Sequence, residues 1–159
     1  MFSLKNNLLT ISLLLLRFIL GVAFIISSID KIINPAKFLE IINNYNLIPT
    51  FITPAVVIIL PWTEFICGLF LLLGILTNSA AVLIIFLLLG FIFGVSINIY
   101  RGADIECGCF GLLFEGESIG LHTIIRDLIM MFFAVALIFL NKNIWKIERL
   151  ISKKIISKN

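Results

Sequence analysis

The chain has 159 residues, 61% of them hydrophobic and 13% charged, with a net charge of +3 and a mean hydropathy of +1.18. A soluble domain has about half its residues apolar and about a quarter charged, so this surplus belongs in a bilayer and not in an aqueous core. The basic residues gather mostly in one tail, which reads as a membrane flank and not as a nucleic-acid interface.

The first apolar run covers about residues 8–29 and is broken by Arg17. It is too long for the apolar region of a cleaved signal and no small-x-small site follows it, so it reads as a retained helix. From Asp30 to Thr53 the charges are mixed and Pro35 and Pro49 interrupt. Phe38, Ile41, Ile42 and Tyr45 are spaced there as in a short amphipathic helix lying at the membrane surface. A second run (54–73) contains Pro61 and Glu64; an uncharged turn, Gly74–Asn78, leads to a third run, 79–99. A polar, glycine-rich stretch from Tyr100 to Gly120 precedes the fourth run, 121–140, and a basic tail, 141–159. Each run is near the roughly 20 residues that cross the hydrocarbon layer. The expected architecture is all-α: one membrane domain over residues 1–159, a four-helix transmembrane bundle with a short interfacial helix between the first and second spans.

Lys and Arg counts set the orientation. The tail carries six (Lys142, Lys146, Arg149, Lys153, Lys154 and Lys158), with Lys5 on the same side, against Lys31, Lys37 and Arg101 on the other. Both termini are expected to be cytoplasmic, in a plasma (inner) membrane, with the Tyr100–Leu121 loop facing outward.

That loop holds Cys107-Gly108-Cys109. Two thiols on the oxidising side of a membrane point to redox chemistry. Cysteines two apart sit at the limit of disulfide geometry, so a Cys107–Cys109 bond closes only with strain, and a strained bond is easily reduced. Gly108 permits the backbone such a bond requires. A disulfide to another protein, half of a metal site and a pair of idle thiols are the competing readings. For a metal, only His122 and Glu106 stand by as further ligands, a poor set.

A second signal is the set of ionisable residues within the apolar runs: Arg17, Glu64, Arg126 and Asp127. Charges in hydrocarbon are costly unless paired and are functional candidates by default. At 1.5 Å per residue, Arg17 lies roughly 18 Å and Glu64 roughly 14 Å below the outer boundary, and Arg126 and Asp127 about 8–10 Å. Helical phase places Arg17, Gly21 and Ser28 on one face, Glu64, Cys67 and Gly68 on another, and His122, Arg126 and Met130 on a third. Gly90, Gly94 and Asn98 form a small-residue seam suited to close helix approach. Turned inward, these faces make a polar pocket of Arg17, Glu64, Asn98, His122, Arg126 and Asp127 beneath the cysteines. The bland reading is an Arg17–Glu64 ion pair that fixes packing, with Cys67 a buried packing residue and His122 an interfacial hydrogen bonder.

Arg17-x-x-Leu20-Gly21, Asp30-Lys31 with Pro35 and Phe38, Tyr45-x-x-x-Pro49 and Pro61-x-x-Glu64-x-x-x-Gly68-Leu69 together resemble the DoxX-type membrane proteins. Glu106-Cys107-Gly108-Cys109-Phe110-Gly111, followed by Arg126-Asp127, narrows the resemblance to the branch named for the methylamine utilisation protein MauE, over about residues 10–140. Asp127 departs from the family pattern, which often reads Arg-Asn. The resemblance implies a four-helix inner-membrane protein associated with redox processes. Its namesake is linked to maturation of a disulfide-rich periplasmic enzyme subunit alongside a thioredoxin-like partner.

Two functions follow as expectations. In the first, Cys107 or Cys109 exchanges disulfides with an extracytoplasmic thioredoxin-like protein, and Arg126 and His122 favour the thiolate. The residues demand no cofactor in this scheme; a quinone held near Arg17 and Glu64 is the candidate carrier on the membrane side. In the second, the chain is a non-catalytic assembly or anchoring subunit for an extracytoplasmic enzyme, as in methylamine dehydrogenase maturation. A solute transporter fits less well, because no paired half-helices or inverted repeat appears.

Overall fold

The computed structural model describes residues 2–102 and 120–156, with side chains described for 10–102 and 120–140. Among these described residues five helices follow in order: α1 (Phe2–Ile33), α2 (Pro35–Tyr45), α3 (Thr53–Leu73), α4 (Thr77–Tyr100) and α5 (Leu121–Ile156). Four stretches are long and apolar enough to cross a membrane: Thr10–Ile33, Thr53–Leu73, Thr77–Tyr100 and Leu121–Leu140. The all-helical, four-span architecture is the one composition predicts. The first span, however, runs on past residue 29 and carries Asp30 and Lys31 within α1.

Local chemistry explains the breaks. Asn34 precedes Pro35, whose fixed φ suits the first turn of α2. Asn46 ends that helix in the left-handed region at φ 49°. Thr53-Pro54 opens α3 in the same way. At its far end Gly74 takes φ 72°, and the Ile75 amide reaches back to the Phe70 carbonyl, closing a Schellman-type turn.

α1 packs most extensively on α3, and α4 on α5. The α1–α3 crossing is tight because two glycines face each other. A Cβ on Gly68 would lie 2.9 Å from the Gly21 carbonyl oxygen, and one on Gly21 would lie 3.0 Å from the Gly68 carbonyl oxygen. The α4 seam behaves differently from its expected role. A Cβ on Gly90 would meet nothing within 4 Å, and Gly94 faces the Tyr45 ring of α2 and not a spanning helix.

The solid core lies in the half of the bundle remote from α2, where Leu20, Leu71, Ala81, Ile84, Ala134 and Leu137 are fully buried. Cys67 packs among them, as expected of a buried packing thiol. Phe18, Ile58, Phe86, Phe93, Phe132 and Phe139 face outward. Such a belt would be anomalous in water and is ordinary against lipid. α2 lays its buried Phe38 and Ile41 onto the bundle and leaves its other side exposed.

Candidate functional site

The half of the bundle beside α2 holds a cluster of buried charge. Lys31 is 3% exposed and Glu64 1% exposed. The Lys31 ammonium donates to both Glu64 oxygens, at 2.8 Å to Oε1 and 2.7 Å to Oε2, and to Ser27 Oγ at 3.1 Å. It also stands 4.9 Å from the Phe91 ring centroid and 5.5 Å from that of Phe38. The ammonium is thus enclosed by a carboxylate, a hydroxyl and two aromatic faces, a set that replaces much of its lost hydration.

α5 supplies the second pair. Arg126 donates from Nε at 3.1 Å and from Nη2 at 3.0 Å to one oxygen of Asp127, Oδ1. Asp127 is 3% exposed, and its other oxygen, Oδ2, is buried with no hydrogen-bond partner. One turn nearer Gly120, the hydroxyl of fully buried Thr123 is likewise without a partner. Ser27, Lys31, Glu64, Arg126 and Asp127 line one cavity of about 20 Å³, with Phe24, Leu88, Phe91 and Met130 completing its wall. On the other side of Phe91 opens an apolar cleft of about 250 Å³ between α2, α3 and α4, lined by residues that include Phe38, Tyr45, Val56, Leu60 and Gly94. Among the described residues no three His, Cys, Asp or Glu side chains gather as a metal-binding group.

The predicted polar pocket is therefore partly assembled. Glu64, Arg126 and Asp127 converge; Arg17, Asn98 and His122 do not line the cavity. The partner of Glu64 is Lys31 and not Arg17, which corrects the expected Arg17–Glu64 pair. Arg17 instead lies at the opposite end of α3, where a Cβ on Gly74 would be 3.1 Å from its Nη1. There its charge faces the carbonyl end of the α3 dipole. Asn98 is buried but serves α2: its Nδ2 donates to the Gly94 carbonyl at 3.0 Å and to the Tyr45 carbonyl at 3.4 Å. His122 is exposed, its ring folded against Gly120. Glu106, Cys107 and Cys109 lie outside the described residues.

Lys31 is the residue that sequence reasoning assigned to a loop. A signal for it was present: Arg17, Gly21, Phe24, Ser28 and Lys31 advance by four, three, four and three, one continuous helical stripe. Ending the first span at its first charge cut that stripe short.

The chain matches, over residues 9–140, the family described as Methylamine utilisation protein MauE. It belongs to the MauE family. The match spans the described cluster and the cysteine loop alike. Among family members, the Methylamine utilization protein MauE of Methylophilus methylotrophus is 32% identical over 103 residues, 64% of this chain and 54% of that protein. The MauE of Paracoccus denitrificans is 29% identical over 123 residues, 77% of this chain and 66% of that protein. The chain thus spans between about half and two thirds of the length of these two MauE relatives. No solved structure matches. Four apolar spans and MauE membership together make this a multi-pass membrane protein.

Proposed function

We propose that this chain is a thiol–disulfide exchange protein of the inner membrane, acting in a process of the kind its relatives are named for, methylamine utilisation. Cys107 and Cys109 face the extracytoplasmic side and exchange with a thioredoxin-like partner through a mixed disulfide. The observation that carries this reading is the buried cluster of Lys31, Glu64, Arg126 and Asp127. Its α5 members, Arg126 and Asp127, lie within the first two turns of the helix that follows the cysteine loop. Four ionisable groups in an apolar bundle are expensive and mark function by default.

The membrane-side carrier in this proposal is a quinone. Closing the Cys107–Cys109 disulfide releases two electrons and two protons, and one quinone takes up both as it becomes a quinol. The cleft beside Phe91 supports this placement, because it offers aromatic and aliphatic walls next to the charged cluster. A site between Arg17 and Glu64 is replaced by this one, since Arg17 stands beside Gly74 at the C-terminal end of α3 while Glu64 lies mid-helix and pairs with Lys31.

Thiol trapping of Cys107 and Cys109 in intact cells, with and without respiratory quinone, tests the reading. A pair that is oxidised normally and accumulates reduced on quinone depletion supports it. A pair that stays oxidised and resists mild reductant in both conditions replaces it with the assembly-subunit reading, in which the Lys31–Glu64 pair serves only to lock α1 to α3.

A further inference from the structure

Asp127 presents an unusual contrast between its two oxygens. Oδ1 accepts two N–H bonds from Arg126, whereas Oδ2 is buried without a partner, and Asp127 lines the cavity shared with Lys31 and Glu64. A buried carboxylate oxygen without a donor is costly. A cavity of about 20 Å³ accommodates one water molecule, and a stable water needs two to four polar partners. Ser27, Lys31, Glu64 and Arg126 supply them beside Asp127. Two states of Asp127 are then equally well bonded. As a carboxylate, Oδ2 accepts from the cavity water; as a carboxylic acid, Oδ2–H donates to it. The charged groups facing this point are Lys31 from α1, Glu64 from α3 and Arg126 from α5, which with Asp127 sum to zero; α4 contributes only Leu88 and Phe91. Protonating Asp127 leaves the cluster at +1, a charge carried on Arg126, whose side chain is 27% exposed and so reaches solvent. Thr123, four residues earlier on the same face, adds a second buried oxygen without a partner, on the Gly120 side.

We propose that Asp127 is a proton-exchange site, taking a proton at Oδ2 from the aqueous phase on the Gly120 side by way of the Thr123 hydroxyl and releasing it into the cavity shared with Lys31 and Glu64. The balance is simple. A hydronium gives its proton to the carboxylate, leaving water and a carboxylic acid, and the acid passes that proton through the cavity water to the quinone being reduced, which restores the carboxylate and leaves the water unchanged. The role rests on the redox reading above, in which disulfide closure liberates two protons and quinone reduction consumes two.

The test is infrared difference spectroscopy across a pH step, on the full chain carrying Cys107→Ser and Cys109→Ser, in lipid nanodiscs without quinone. It is silent on thiol cycling, so its failure and the failure of the redox reading are distinguishable. A carboxylic-acid carbonyl band appearing on the acid side is expected, shifted when aspartate is carbon-13 labelled at its carboxyl and lost in Asp127→Asn. The chain carries Asp30 and Asp104 as well, so the label is used in the Asp30→Asn, Asp104→Asn background, where it decides the matter even if Asp127→Asn does not fold. In Thr123→Val the band should persist while its exchange with deuterium slows. No band, or a band that ignores the aspartate label, overturns the site; unchanged exchange in Thr123→Val overturns the route.

Discussion

Lys31 and Glu64, 33 residues apart in the chain, meet at 2.7 Å with both side chains almost wholly buried, and the contact joins α1 to α3. The pair fixes more than packing. Lys31 lies two residues before the end of α1, so its anchorage also sets where the chain turns into α2.

Removing one partner leaves the other charged and stranded. Lys31→Met or Glu64→Leu alone is expected to destabilise the bundle by about 3–5 kcal/mol, while the double variant recovers most of that loss. Thermal unfolding in a fixed detergent reads it. The double variant also separates stability from chemistry: folded but unable to cycle its thiols, it would place the pair in turnover.

Glycine matters at α1–α3 and not at Gly90. Gly68→Ala forces a methyl to within 2.9 Å of the Gly21 carbonyl oxygen and should cost about 1–3 kcal/mol. Gly90→Ala meets open space and should be neutral or stabilising by up to about 1 kcal/mol, through helix propensity. The two melting temperatures should move in opposite directions or differ clearly in size.

Arg17 stands apart from the charged cluster. Arg17→Gln removes a cation from the carbonyl end of α3 and should cost about 0.3–1 kcal/mol. Thiol cycling, read by trapping, should proceed as in the parent chain. A collapse of cycling with intact folding would return Arg17 to the site.

Asn98 tethers α2 through the Tyr45 carbonyl. Asn98→Ala should cost about 1 kcal/mol. Faster amide hydrogen exchange is expected over Phe38–Tyr45, with the α4–α5 contact unchanged. Uniform acceleration across all helices would show that Asn98 supports the whole bundle.

The spans were legible because the bilayer imposes length and apolarity directly on the sequence. The amphipathic α2 was legible because its period survives in Phe38, Ile41, Ile42 and Tyr45. Pairing was harder to read. Glu64 carries no mark saying whether its cation comes from Arg17, midway along α1, or from Lys31, near its C-terminal end; the antiparallel register of α1 on α3 decides, and the facing pair Gly21 and Gly68 sets that register. Lys31 was mistaken for a loop residue because a neutralised charge and a solvated one look alike in sequence. Phase sets Arg126 on one face with His122 and Met130 and leaves Asp127 off it, so adjacency in sequence concealed that Arg126 and Asp127 bond each other.

The uneven filling of the bundle has a consequence for traffic. Its close-packed half lies around Leu71, Ile84 and Leu137, whereas the charged cavity and the apolar cleft lie in the half beside α2, with Phe91 as their common wall. On the quinone proposal, a lipid-borne carrier approaches the charged cluster sideways, from the leaflet next to α2, by way of the cleft. On that proposal the protein draws on one monolayer, and a carrier must cross the bilayer midplane by itself before it can be used.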